Sequence, residues 1–95
     1  MIVVNAKFYI ADDKKEQFRG EIEALITSSK KEEGCLDYSL YESVSNQNEF
    51  VMIENWETKA SIEQHNSNPL LKAFAQNLAN YSLKQPVLHI MEIKE

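Results

Sequence analysis

The chain is 95 residues long, with 43% hydrophobic and 26% charged residues, which fits one globular domain over residues 1–95 with a modest core and excludes disordered and fibrous classes. Fifteen acidic against ten basic residues leave a formal charge of −5, which repels phosphate backbones and acidic membrane surfaces and so excludes nucleic acid as a partner. No apolar run approaches the roughly 20 residues of a membrane helix, the start MIVVNAKFYI has neither a basic n-region nor a small-residue cleavage site, and the lone Cys35 can form no internal disulfide; a cytoplasmic chain without membrane contact is expected.

Ile2, Val4, Ala6, Phe8 and Ile10 alternate with Val3, Asn5, Lys7 and Tyr9, which predicts a first strand whose second face is also partly apolar. Asp12 or Asp13 offers an N-cap, with Glu16 three residues after Asp13 as in a capping box. Phe18, Ile22, Leu25 and Ile26 follow at helical spacing, predicting a helix to about Lys31. Lys30 and Lys31 suit its negative end, and Gly34 supplies a residue able to take positive φ just beyond. Leu36, Tyr38 and Leu40 alternate with Asp37 and Ser39 as a second strand, the polar stretch Ser45 to Asn48 reads as a hairpin connection, and Phe50 to Trp56 forms the third. Thr58 can cap a short helix through His65. Ser67 or Asn68, with Pro69 at the first helical position, can start another, striped by Leu71, Phe74, Ala75, Leu78 and Tyr81. Pro86 stops that helix from continuing, and Val87 to Ile93 reads as the last strand.

The order β-α-β-β-α-β is that of a ferredoxin-like α+β sandwich, a four-stranded antiparallel sheet with both helices on one face. The other face is expected to carry Val3 and Tyr9, Val51 and Ile53, and Leu88 and Ile90. A second greasy face needs a cover, because large exposed apolar patches are rare on monomers, and a homodimer through the sheets is expected.

His65 is the foremost candidate for chemistry, since histidine has an unperturbed pKa of about 6.5 and can take a proton from a phenol or carbon acid at neutral pH; its alternative is a polar residue at a helix end. Trp56, at a strand end, can wall a pocket and offer its N–H to a substrate oxygen, or be core. Asn5 and Tyr38 can hydrogen-bond an enolate or phenolate oxygen, with cross-strand packing the alternative for Tyr38. Glu54, on the strand parity of Trp56, would orient a histidine or pair with a lysine. Cys35 has no helix N-terminus or cationic neighbour to activate it and reads as structural. His89 has no second histidine at metal-ligand spacing, and neither a metal motif nor a phosphate-cradling glycine loop occurs; no metal and no nucleotide cofactor are expected.

The letters Glu32-Glu33-Gly34-Cys35, Tyr38, Glu54-Asn55-Trp56 and His65 resemble the E-x-G-C, Y and E-x-W…H pattern of the small antibiotic-biosynthesis-monooxygenase or quinol-monooxygenase domains. The resemblance implies one such domain, two sheets closing into a dimeric α+β barrel, and a pocket in which His65 and Trp56 act on a substrate held by Asn5, Tyr38, Glu54 and Phe74. It implies a cofactor-independent monooxygenase that uses O2 on a quinol or polycyclic aromatic. Acid-base isomerisation of a small carbonyl compound, or a non-catalytic dimer that binds an aromatic ligand, are the alternatives, since the fold does not choose the reaction. Leu70 stands where many quinol-monooxygenase-like members have a second histidine, which leaves His65 the only candidate base in the segment. Ala75 stands where haem-degrading relatives have their axial histidine, and no histidine lies between Asn66 and Gln85, so haem degradation ranks lower.

Overall fold

In the computed structural model, which describes residues 1–94, four antiparallel strands form one sheet in the order β2-β3-β1-β4. The strands are β1 (Ile2–Ile10), β2 (Cys35–Glu42), β3 (Glu49–Trp56) and β4 (Ser82–Glu92); the helices are α1 (Lys15–Lys30), α2 (Lys59–His65) and α3 (Pro69–Tyr81). This is the ferredoxin-like α+β architecture expected from the element order, with the second helical layer divided between α2 and α3. Asn68 makes that division, accepting from the Leu70 N–H at 2.8 Å and so capping α3 with Pro69 at its first position.

The even residues of β1 are buried against the helices and the odd ones are only partly covered. Side chains across adjacent strands at one register position share a face, so Ile2, Val4, Ala6 and Phe8 align with Trp56, Glu54, Met52 and Phe50 on the helix side. Phe18 of α1 and Phe74 of α3 close over Phe8 and Phe50, with ring centroids 5.1–5.9 Å apart. Farther out, Asn77 donates to the Glu21 carboxylate at 2.7 Å and the Tyr81 hydroxyl donates to its other oxygen, tying α3 to α1.

Four local expectations are corrected. The capping box at Asp13 does not form: a short 3-10 turn at Asp12–Lys14 precedes α1, without a side-chain cap. Asp12 instead accepts from Asn48 at 2.9 Å and pairs with Lys15 at 3.4 Å, which ties the β2–β3 connection to the end of β1. Leu36 does not share a face with Tyr38 and Leu40. The register shifts between Cys35 and Asp37, so Leu36 is the extra residue of a bulge and is 57% exposed. Pro86 does not precede the last strand but lies within it. It occupies the irregular stretch opposite Phe8, where the pairing shifts between Lys7 and Tyr9, on an edge strand that tolerates a missing N–H.

That irregularity also sets the phase of β4. Leu88 and Ile90 pair with Ala6 and Val4 and therefore lie on the helix side, not on the outer face with Val3, Val51 and Ile53. They are nevertheless 60% and 61% exposed, because a cavity and not packed side chains separates them from α3. The outer face carries Val87 and Met91 from this strand instead, beside Lys7 and Val3.

Candidate active site

Gly34 sets where the second strand begins. Its φ of +84° is open to glycine at little cost, and a Cβ there would come within 1.9 Å of the Ser61 Oγ, so the chain passes α2 at a distance only glycine allows. The Gly34 carbonyl accepts from the Glu57 N–H at 2.8 Å, and Thr58 caps α2 by accepting from the Ser61 N–H at 3.2 Å. Two turns later α2 ends on His65, whose side chain is thereby carried under the sheet end and buried.

His65 meets three partners there. Its ring lies against Trp56, with centroids 4.6 Å apart and planes 38° from parallel. Its Nε2 is 3.4 Å from the Tyr38 hydroxyl, and its Nδ1 is 2.6 Å from Oε2 of Glu32. Two depressions flank the ring. One is an open polar cleft bordered by Glu32, Ser28, Gln64 and Asn68. The other is a cavity of about 340 Å³ between the sheet and the helices, walled by apolar side chains such as Leu25, Ile62, Leu71, Phe74 and Leu88. Tyr38, Glu54 and His65 bring polar side chains into that wall. An apolar enclosure with a few convergent polar groups is the usual form of a small-molecule site, so the cavity is the stronger candidate although the cleft is of similar size.

Burial in the first place, and then the nearby Glu54 charge, push the Tyr38 hydroxyl well above the ordinary phenol range, so it remains a donor. Burial likewise pushes the Glu54 carboxyl up, against the Trp56 hydrogen bond and the attraction of His65, while Glu32 adds to the rise. The Cys35 thiol is also raised, by burial and then by Glu32, Glu54 and Asp37; it donates to the Asp37 carbonyl at 3.7 Å and is poorly suited to nucleophilic attack. Among the described residues no three His, Cys, Asp or Glu side chains gather as a metal site, and no helix is long and apolar enough to cross a membrane.

Four of the six expected site residues line the one cavity: His65, Tyr38, Glu54 and Phe74. Trp56 lies behind them. It is fully buried, and its N–H donates to Oε1 of Glu54 at 3.0 Å, so it holds the carboxylate and does not offer its donor to a substrate. Glu54 accordingly orients the indole and neither the histidine nor a lysine. Asn5 is not brought to the site: it pairs with Ile53 and His89 on the outer face of the sheet, where its Oδ1 is buried without a hydrogen-bond partner. Strand parity sends it there, since Val4 and Ala6 on either side face the helices. Two residues at the site escaped the sequence reading. Glu32 was visible only as the first letter of the E-x-G-C pattern, and Asn68 only as a helix cap. Both act here through contacts across more than thirty positions of sequence.

Residues 1–77 match the family model described as antibiotic biosynthesis monooxygenase. The chain is 36% identical over 74 residues to the Bacillus subtilis protein named "Putative monooxygenase YcnE", a span covering 78% of each chain. A conserved protein from Methanosarcina mazei Go1 superposes with a TM-score of 0.93 at 30% identity, over 98% of this chain and 92% of that one. Rv0793 from Mycobacterium tuberculosis superposes at 0.92 with 22% identity, over 99% and 95% of the two chains, a likeness of fold. With most of its length inside the family match and the fold shared end to end, this chain belongs to the antibiotic biosynthesis monooxygenase family.

Proposed function

We propose that the protein is a cofactor-independent monooxygenase that oxidises a quinol or polycyclic aromatic substrate with O2 in the cytoplasm, with His65 as base. The observation that carries this reading is the placement of His65 and Tyr38, with Nε2 and the hydroxyl 3.4 Å apart, at the wall of a mostly apolar cavity that Glu54 also borders. A planar aromatic would bury its rings among Leu25, Ile62, Leu71 and Phe74 and present one oxygen to the imidazole and phenol. The volume is near the low end of the range for ligand sites, about 300–1,000 Å³, which favours a compact fused aromatic over a large decorated one.

The chemistry needs no flavin or metal because the substrate is the reductant. His65 Nε2 takes the proton of a ring hydroxyl, and the phenolate bonds to O2 through a hydrogen-bearing ring carbon that shares its charge, giving a peroxide anion. The imidazolium returns its proton to the distal oxygen. Loss of that carbon's hydrogen as a proton and cleavage of the O–O bond then yield a carbonyl and water, so the four electrons lost by the ring are those gained by dioxygen. Tyr38 donates to the oxygen on which the ring's charge accumulates, and the apolar wall keeps bulk water from the peroxide. In this reading residues 1–95 work as one domain, since β4, which lies beyond the family match, pairs along β1 and borders the cavity. The protein works as a homodimer through the sheets, because Tyr41, Val87 and Met91 leave apolar surface on the outer face.

The test is oxygen consumption by the purified protein with a panel of quinols and hydroxylated fused aromatics, corrected for autoxidation with heat-killed protein. Saturable uptake that falls about a hundredfold or more in His65→Ala is expected. Isomerisation of a carbonyl substrate without oxygen, or tight binding without turnover, would replace this reading by an isomerase or a ligand carrier.

A further inference from the structure

We infer that Glu32 is the positioning residue of the base: its carboxylate holds the His65 proton on Nδ1, leaves Nε2 as the unprotonated nitrogen beside Tyr38, and balances the charge the ring acquires when it takes the substrate's proton. This rests on the reading of His65 as base. The geometry is that of an acceptor-only group 2.6 Å from one ring nitrogen, with the other ring nitrogen facing the Tyr38 hydroxyl at 3.4 Å. An ionised carboxylate can only accept, so Nδ1 carries the hydrogen and Nε2 presents its lone pair. Tyr38, which stays protonated, is then a donor toward that lone pair, and the two contacts demand the same tautomer.

Glu32 is itself held. Its Oε1 accepts from Nδ2 of Asn68 at 3.2 Å, and the same amide reaches the Ser28 Oγ at 3.1 Å, while Oδ1 of Asn68 caps α3. The carboxylate is thus fastened between the last turn of α1 and the first turn of α3, and the base inherits its orientation from both. The two sides of the ring differ in solvation. The Glu32 side chain is 24% exposed, at the polar cleft, whereas the His65 side chain is 4% exposed. A negative charge on the exposed side stays hydrated and can stabilise an imidazolium whose other edge faces a mostly apolar cavity, an arrangement cheaper than burying both charges. Glu54 stands on the cavity side with its carboxyl raised by burial and its Oε1 occupied by the indole, and so is poorly placed to do the same.

A simple latch between helices would make the same contacts, so the test reads the tautomer as well as the rate. The full-length protein is studied with His89→Asn, which leaves His65 the only one of the two histidines; His89 is exposed on the outer face, away from the cavity. Nitrogen NMR of the ring is expected to show the proton on Nδ1, with a far-downfield ring proton from the short contact to Glu32. In Glu32→Gln the downfield signal should disappear and the proton move wholly or partly to Nε2. kcat for the quinol that responds should fall about 10–100-fold with KM little changed. Glu32→Asp, which keeps the charge on a shorter arm, should weaken the signal and recover part of kcat, and it carries the test should the Gln variant not fold. Variants that fold and keep the parent's tautomer and kcat would reduce Glu32 to a structural latch. A tautomer that shifts while neither parent nor variant consumes oxygen would support the hold of Glu32 on the ring and overturn the oxygenase reading.

Discussion

Two aromatic clusters lie on the same face of the same sheet, and they differ in almost everything but burial. At one end Phe8, Phe18, Phe50 and Phe74 meet edge to face or tilted, with no polar atom among their side chains. At the other, Tyr38, Trp56 and His65 pack at similar separations, 4.6–6.2 Å, but each ring carries a polar atom, and each of those atoms has a partner. The first cluster does no proton chemistry, because nothing in it donates, accepts or titrates, although Phe74 also walls the cavity. The second buries comparable surface while holding a proton acceptor at a cavity wall. Burial therefore does not tell core from site here; the tips of the rings do.

This contrast can be broken first at the phenylalanine end. Phe18 is fully buried and touches the three other rings, so Phe18→Ala should destabilise the protein by about 3–5 kcal/mol, read from urea or thermal unfolding. Any folded fraction should still turn over substrate. His65→Ala should do the reverse. A loss of about a hundredfold in oxygen consumption corresponds to roughly 2.7 kcal/mol of barrier, and the unfolding midpoint should move less than in Phe18→Ala. Equal damage to stability and turnover in both variants would erase the distinction between the clusters.

The supports of the polar cluster give smaller effects. Gly34→Ala puts a Cβ against Ser61 at a backbone angle that L-residues rarely adopt, so it should cost about 1–3 kcal/mol and displace the α2 start that carries His65. Activity should fall along with stability, unlike either ring substitution. Glu54→Gln sharpens the comparison through pH. Because the folded carboxyl is raised, the folded state favours the protonated form, and its contribution to stability is full below the unfolded pKa and declines as pH rises through the folded one. A neutral amide escapes that decline and can still accept from Trp56. The variant should therefore unfold at a higher temperature than the parent near pH 8, with the gain shrinking toward pH 4. A gain that grew on acidification would reverse the assigned sign.

The strands and helices were legible in the sequence because their patterns are local. Alternation marks β1 and β3, helical spacing marks α1 and α3, and Thr58 and Asn68 announce the two helix starts by capping chemistry. His65, Tyr38 and Glu54 were legible as polar residues near one sheet end, and Phe74 as part of the apolar stripe of α3. Where the strand reading failed, it failed at single-residue shifts. One extra residue at Leu36 and the irregularity at Pro86 each change a strand's phase, and a phase shift turns a side chain to the other face. Neither leaves a clear mark in composition.

By itself, the sequence determined the order of elements, the glycine turn before β2 and the identity of the base candidate, since propensity, capping and alternation depend on neighbours a few positions apart. Only the tertiary structure decided what those residues do. It gave the Trp56 N–H to Glu54, turned Leu88 and Ile90 to the helix side, and brought Glu32 within 2.6 Å of a histidine thirty-three positions away. Hydrogen-bond partners and the side of a sheet are set by register and by the packing of distant segments, and no local pattern encodes either.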